Sequence, residues 1–489
     1  MTTPTERATP REDAPHWIPL NTWNQLAPRS YNRFLLCFEV DNDRQATAVK
    51  HLESCAVKLG RNRPVLKSLL KVDGPFALVG TLVQQDIPVE VHDIRVTFGK
   101  TYAHLKETGF PASIFVNRMF DVLAGDIAHA LIVRIYTING GLLLGIHLHH
   151  SLGDGKSIDD IISWFSAETR GDLYDTQPVI LSGPFHECHC SSDGNTNGYS
   201  CDPEYVSKRF RERKFLSSPI SQVPVNGRFI GKVFMFKVTT LSAIQNHMQQ
   251  QLGGKGRPST SVILIALLWA HAVKARICVS RQANADLPTG NEPADDGTDH
   301  SRLLSIVDAR KRVFDENQAR CYFGNAAEVA LAELPTRDLL ETCKLTTPSL
   351  GLSAIAERLR PIIRSVQDSI ERVDRDFVHQ RQSLYARFPD PRKLVLDYFP
   401  NDTRAFMFNS WRYLGMNTGQ EWNITGTDKA GHPNVIRRAG GEWNSPAAML
   451  LPMRPGSEEL EAMITVEEGA MKLLLMDEGL MGLVDRVVG

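Results

Sequence analysis

Between Ala130 and Phe165 the sequence dictates a strand, a tight turn, a second strand, an abrupt loop and a helix. Ala130 to Thr137 is an apolar, β-branched run, followed by Asn139-Gly140-Gly141 and then by Leu142 to His150. Two such runs around Asn-Gly predict a hairpin, because both residues tolerate the positive φ of a type I′ turn. Ile158, Ile161, Ile162 and Phe165 then recur at helical spacing, so a core-facing helix starts near Ser157. The loop between reads His149-His150-Ser151-Leu152-Gly153-Asp154-Gly155. His150 thus ends a strand and Asp154 precedes a helix. Such a corner keeps its backbone rigid while a side chain faces a cleft.

A histidine placed this way suits general-base catalysis. An unperturbed imidazole has a pKa near ~6.5 and is mostly neutral at cytosolic pH. A positioned base of this kind is worth on the order of 10²–10⁴ in rate. Asp154, just ahead of a helix, can accept backbone amides or pair with an arginine, locking the loop that aims the imidazole. Gly155 is expected to let the chain bend. A zinc site built from His147, His149, His150 and Asp154 is disfavoured, because strand alternation puts His147 and His149 on one face and His150 on the other. Ser151 and Leu152 also stand where a His-x-His-x-Asp-His site needs Asp and His.

The chain has 489 residues, enough for two or three domains with sizeable cores. Lysine plus arginine (55) nearly balances aspartate plus glutamate (56), so no basic field recruits nucleic acid or anionic membrane. Val262 to Ala270, the longest apolar run, is too short to span a bilayer. Met1 to Asp13 has no hydrophobic core of a secretory signal, and Val487-Val488-Gly489 is no lipidation tag. Eight sparse cysteines fit a reducing cytosol and a cytoplasmic protein. His186-Glu187-Cys188-His189-Cys190, with Cys201 beyond, reads as an exposed linker and not a metal site: it lacks Cys-x2-Cys spacing and runs into Ser-Ser-Asp-Gly-Asn-Thr-Asn-Gly.

Residues 1–30 read as an irregular lead-in. Strands are expected at Arg33–Val40, Phe76–Leu82 and Val89–Ile94, with Val49, Leu52, Ala56 and Leu59 striping a helix. In the second half, strands are expected at Phe229–Val238, Leu303–Val307, Ala405–Ser410, Ala447–Pro452 and Glu461–Val466. A helix capped by Thr260 or Ser261 runs to Arg276, apolar all round and therefore buried on every side. Residues 281–300 read as a mobile surface insert. Ile355 through Phe377 define a long amphipathic helix that Pro361 kinks or restarts, and a last helix passes through Met471 and Leu475. The result is an α/β chain of mixed sheets in two domains, residues 1–182 and 226–489, joined by a linker over 183–225. The strand near 405–411 is a candidate for packing at the domain interface.

The corner resembles the His-x3-Asp motif of BAHD-type acyltransferases, in the coenzyme-A-dependent superfamily that includes chloramphenicol acetyltransferase and peptide-synthetase condensation domains. Further segments are similar to that family in its own order. Ser261 to Arg276 resembles its buried "S…A..W….AR" helix. Val307-Asp308-Ala309-Arg310 with Tyr322-Phe323-Gly324-Asn325 resembles "D.R…YFGN". Asn409-Ser410-Trp411 resembles its "(T/N)SW" strand, and Gly431-His432-Pro433 with Arg437 resembles "G.P..VR". The flavour is that of fungal secondary-metabolite members such as trichothecene 3-O-acetyltransferases. The family's Asp-Phe-Gly-Trp-Gly signature is replaced by Glu421-Trp422-Asn423-Ile424-Thr425-Gly426.

The resemblance implies two chloramphenicol-acetyltransferase-like domains facing a central tunnel, with acyl-CoA (acetyl-CoA first) as co-substrate and no metal. A small-molecule hydroxyl acceptor attacks the thioester directly in a monomeric, cytoplasmic enzyme, with His150 as base and Asp154 holding the loop. Trp411 and Asn409 become candidate oxyanion donors, though Trp411 suits a core aromatic equally. Ser261 either caps its helix or touches the CoA arm. Glu421 would take the place of the family's structural Asp and pair with Arg310. Two alternatives remain at this stage: a condensation-type enzyme fed by a carrier protein, and an inactive binding protein of the same fold.

Overall fold

The computed structural model describes residues 16–80, 85–116, 118–172, 203–219, 227–251, 257–285, 299–344, 351–415, 421–425, 431–441, 443, 445–454 and 456–489. The first half opens with a short helix, α1 (Thr22–Leu26), inside the stretch expected to be irregular. β1 (Tyr31–Glu39), α2 (Gln45–Asn62), β2 (Val89–Asp93), β3 (Leu131–Ile138), β4 (Gly141–His149) and α3 (Gly155–Arg170) follow. β3 and β4 form the expected hairpin, with Ile138 opposite Gly141. Its turn is not type I′: Gly140 has φ +78° but Asn139 is not in the positive region. The Asn139 carbonyl accepts the Tyr102 amide at 2.8 Å, and Asn139 bridges Thr101 as a strand would. A positive φ at the second central position alone is the mark of a type II turn.

The second half supplies β5 (Phe229–Lys237), α4 (Thr260–Ala285), β6 (His300–Asp308), β7 (Ala327–Pro335), α5 (Leu352–Glu371), α6 (Arg375–Tyr385), β8 (Ala405–Ser410), β9 (Val435–Arg438), β10 (Ala447–Leu450), β11 (Glu459–Glu467), α7 (Glu468–Met476) and β12 (Arg486–Val488). Pro361 neither ends nor restarts α5, which runs through it. The break comes at Asp374, whose carboxylate caps α6 by accepting the Phe377 amide at 2.8 Å. α4 is apolar all round and buried, its Trp269 donating to Ser301 at 2.9 Å. Among the described residues, Thr260–Gln282 is the one helical stretch long and apolar enough to cross a membrane, and it lies in the core.

Two mixed sheets organise the chain. One has five strands in the order β9-β1-β4-β3-β2, the other seven in the order β7-β6-β8-β10-β11-β5-β12. β9 belongs by sequence to the second half yet pairs with β1, Val435 opposite Cys37, so the second half lends an edge strand to the first sheet. β8 sits within the seven-stranded sheet, parallel to both β6 and β10. One continuous apolar cluster joins the two sheets. It contains Phe34, Leu144, Ile146 and Leu148 from the first, Val233, Met235, Met449 and Met463 from the second, and Trp411 between them. Burial of this kind stabilises by roughly 25 cal/mol per Å² of apolar surface, so the sheets are fixed against each other at the place where the corner emerges.

Candidate active site

The corner is pinned by its backbone before any side chain contributes. At the end of β4 the His149 amide donates to the Ala130 carbonyl at 2.9 Å and the His150 amide to Ser30 at 2.7 Å. The chain then turns, with the Leu152 amide donating to the His149 carbonyl at 2.8 Å. Gly153 is the glycine this turn requires. A Cβ there would lie 2.5 Å from the Ser157 Cβ and 2.8 Å from Leu148 Cδ2. Gly155 was expected to make the bend, and it does not. It is the first residue of α3, outside the left-handed region, and a Cβ on it would meet Leu414 at 3.7 Å and Trp411 Cδ1 at 4.0 Å, ordinary contact distances.

Asp154 is the N-cap of α3, its Oδ1 accepting the Lys156 amide at 3.1 Å and the Ser157 amide at 3.4 Å. Capping at this position satisfies helix amides that would otherwise be orphaned. The same carboxylate takes both arms of the Arg310 guanidinium, Nη2 to Oδ1 at 2.8 Å and Nη1 to Oδ2 at 3.1 Å, and the Ala326 amide at 2.9 Å. Burial alone would raise the Asp154 pKa. The Arg310 charge and the hydrogen bonds from Arg310, Ala326 and Ser157 outweigh it and hold the carboxyl below its ordinary range.

Of the three neighbouring histidines, His147 and His149 are buried, whereas His150 keeps part of its surface open. Burial pushes His147 down to about 3 and His149 to about 4, so both stay neutral. The His149 ring stands edge-on to Tyr31 at 5.2 Å, with its Nδ1 accepting the Ser151 amide. Desolvation lowers the His150 pKa as well, opposed by the carbonyls of His150 and Gly153, the Asp154 charge and the Asn325 amide. Its Nδ1 is enclosed without a hydrogen-bond partner. Asn325 donates from Nδ2 to the His150 carbonyl at 2.7 Å.

The Tyr322-Phe323-Gly324-Asn325 segment therefore reaches both ends of the corner. The Gly324 carbonyl accepts from Arg310 at 2.5 Å, and the Ser157 hydroxyl bonds both the amide and the carbonyl of Gly324 at 3.1 Å. Gly324 has φ +155°, and a Cβ there would lie 2.9 Å from the Tyr322 hydroxyl. Ser157, Gly153 and the Ala326 amide were not foreseen from the sequence. Only the serine carried a signal, as an expected helix start.

Trp411 comes to the corner, beside the start of α3. The indole packs on Phe34 with ring centroids 4.1 Å apart, and its Cδ1 edge faces the start of α3 beside Gly155. Asn409 turns its amide oxygen onto the Ser410 N–H at 2.8 Å. Ser261 does not cap α4. Ser259 does, its hydroxyl accepting the Val262 amide at 3.2 Å, while Ser261 and Thr260 accept from Arg412 at 3.2 and 3.0 Å.

The expected Arg310–Glu421 ion pair is overturned. Both Nη ends of Arg310 are taken, by Asp154, by Asp308 at 3.0 Å and by Gly324. Glu421 is exposed, and its backbone carbonyl accepts from Arg170, the last residue of α3. At 1.5 Å per residue, the two ends of α3 are about 24 Å apart, so Glu421 stands at the far end from Asp154. The rest of that segment is structural. Trp422 is buried against Phe38 and Phe165 at 5.4 and 5.5 Å, and the Asn423 amide donates to Thr169 at 3.1 Å. Gly426, the 186–190 cluster and Cys201 lie outside the described residues. Among the described residues, no group of three or more His, Cys, Asp or Glu side chains is arranged to hold a metal.

A family model for the Transferase family matches residues 121–479, which include the corner, the Arg310 and Tyr322–Asn325 segments and the Trp411 strand end. The chain belongs to this family, that of the BAHD-type acyltransferases. It is an acyltransferase. Relatives include an eremophilane O-acetyltransferase of Penicillium roqueforti, 26% identical over 71% of this chain and 75% of its own length. A trichothecene 8-O-acetyltransferase of Fusarium sporotrichioides is 22% identical over 77% of this chain and 78% of its own. The fold is that of Fusarium graminearum TRI101, solved with coenzyme A and T-2 mycotoxin, with a TM-score of 0.72, 19% identity and coverage of 97% of this chain and 100% of that one. Vinorine synthase superposes with a TM-score of 0.57 at 15% identity, covering 98% of this chain and 95% of its own.

Proposed function

We propose that this acyltransferase moves an acyl group, acetyl in the first instance, from acyl-CoA to a hydroxyl of a small apolar secondary metabolite, by direct attack with His150 as general base. One observation carries the reading. On a turn where Asp154 has its oxygens filled by Arg310 and by backbone amides, His150 is the titratable group that stays partly open, with its Nδ1 free of any hydrogen-bond partner. Asp154 is thereby a brace, and the imidazole is the group free to act.

The chemistry follows from that division. With Nδ1 enclosed, Nε2 is the nitrogen left to meet an acceptor. It takes the hydroxyl proton as the acceptor oxygen bonds to the thioester carbonyl carbon. The carbonyl oxygen gains the negative charge, and the indole N–H of Trp411, on the edge turned toward the corner, is the donor suited to it. The carbon–sulfur bond then breaks, and the proton on His150 passes to the departing thiolate to give free CoA. The lowered pKa of His150 keeps the ring neutral, and so able to accept a proton, at cytosolic pH.

The relatives named for trichothecene and eremophilane O-acetylation support an alcohol acceptor of that size and polarity. The test is to mix purified protein with acetyl-CoA and a panel of trichothecene- and eremophilane-type alcohols, following thiol release and ester formation by mass spectrometry. Acceptor-dependent release of free CoA with one acetyl group gained is the expected result. Thiol release that never depends on an acceptor, or ester formed only from an acyl-carrier thioester, would overturn the proposal.

A further inference from the structure

We propose that Asn24, on α1, is a positioning residue for the His150 imidazole and acts through Asn325. This rests on the reading of His150 as the base. Asn24 lies in the lead-in, some three hundred residues from Asn325 in sequence, and both side chains are buried. Asn24 Oδ1 accepts two hydrogen bonds from Asn325, from its backbone N–H at 2.9 Å and from Nδ2 at 2.8 Å. A planar amide held that way has its second Nδ2 proton aimed in one direction, and there it meets the His150 carbonyl at 2.7 Å. Without the Asn24 oxygen, the Asn325 amide is free to rotate or flip, and the peptide that carries His150 into the turn loses the donor that fixes its plane.

Asn24 is itself held on every side that matters. The Asn21 Oδ1 accepts its amide at 3.0 Å as the cap of α1. The Asn21 Nδ2 donates to the Tyr322 hydroxyl at 2.9 Å, and that hydroxyl donates to the Asn325 carbonyl at 2.9 Å. Asn21, Asn24, Asn325 and Tyr322 thus close a ring of hydrogen bonds, and all four are buried. The adjacent Trp23 anchors the helix on β7, its indole donating to Glu328 at 2.7 Å, while Arg381 and Gln382 hold that carboxylate at 2.6 and 2.7 Å. A closed ring of buried hydrogen bonds specifies one arrangement, because a shift leaves a buried donor or acceptor unpaired. The 150–154 turn is braced at its carboxylate end by Arg310 and at its imidazole end by this ring.

Misplacing a catalytic group by about 1 Å costs on the order of 10² in rate. Asn24→Ala is therefore expected to lose between about tenfold and a hundredfold in kcat, with KM for acetyl-CoA within about twofold of wild type. Asn24→Asp keeps an acceptor oxygen facing Asn325 and should recover most of that loss. If Asn24→Ala fails to fold, Asn24→Ser, too short to reach Asn325, should show the same kcat loss. Unchanged kcat in a folded Asn24→Ala or Asn24→Ser protein would overturn the proposal. So would a rise in KM at constant kcat, or an Asp variant as impaired as the Ala variant. His150→Ala run alongside separates the two levels. If it turns over normally, the base assignment falls and takes this inference with it. If it is crippled while Asn24→Ala keeps its kcat, the positioning role alone falls.

Discussion

The two ends of the His150–Asp154 turn are held in opposite ways. Asp154 is saturated by two arms of Arg310, the Ala326 amide and the first amides of α3. His150 is gripped through its backbone, at its amide by Ser30 and at its carbonyl by Asn325, and its ring Nδ1 has no hydrogen-bond partner. A carboxylate with every lone pair engaged has nothing to offer a substrate. An imidazole whose main chain is fixed and whose ring is free is placed to exchange a proton. Fixing one end by its charge and the other by its peptide plane yields an aimed base.

The largest expected effect that would break this contrast is on the carboxylate end. Arg310→Ala leaves a buried carboxylate with its guanidinium partner gone and should cost about 3–5 kcal/mol of stability; chemical denaturation reads it, and a change in unfolding free energy of only a few tenths of a kcal/mol would contradict the account. Next comes the turn itself. Gly153→Ala forces a methyl group into Ser157 and Leu148 and should cost about 1–3 kcal/mol. Gly155→Ala, with room for its methyl and a helical position, should stay within about 0.5 kcal/mol of wild type. Equal effects from the two glycines would remove the distinction drawn between them.

The smallest effect separates the two ends by pH. Desolvation, only partly offset by the His150 and Gly153 carbonyls, Asp154 and Asn325, holds His150 below the ordinary imidazole range, whereas the Arg310 charge and the hydrogen bonds to Asp154 outweigh burial and hold that carboxyl below the ordinary carboxylate range. The native imidazole has a depressed pKa, so acid protonates it only below the ordinary imidazole range, and kcat/KM should fall on an acid limb there. The stability contributed by Asp154 is present above the carboxylate range and is lost only as pH falls through its still lower native pKa. Between the two, activity should vanish while the fold persists. A circular dichroism signal that is lost in step with turnover would merge the two ends into one.

Much of this was legible in the sequence because it is local. The hairpin, the corner and α3 follow from period-two and period-3.6 patterns within forty residues. α4 was legible as a helix buried on all sides because its apolar residues leave no polar face. What was hidden is either short or long-range. α1 has five residues, too few for a periodic signal, and Asn24 gains its meaning from Asn325 across the fold. β9 has four residues and pairs with a strand four hundred positions away. β7 reads Ala-Glu-Val-Ala-Leu-Ala-Glu-Leu-Pro, mostly helix formers, and is a strand because β6 holds it. Arg310 was rightly suspected of an ion pair, but family analogy pointed to Glu421, when the carboxylate nearest in space was Asp154 itself. The cap of α4 fell one residue early, at Ser259, within the ordinary slack of helix ends.

The most direct test of the central claim is His150→Ala, assayed for acceptor-dependent CoA release and for thermal unfolding on the same preparation. The account predicts a loss of at least about a hundredfold in kcat, with an unfolding temperature close to that of the wild type, since the ring makes no hydrogen bond through its buried nitrogen. Turnover at the wild-type rate, or a loss of activity matched by a loss of folded protein, would contradict it.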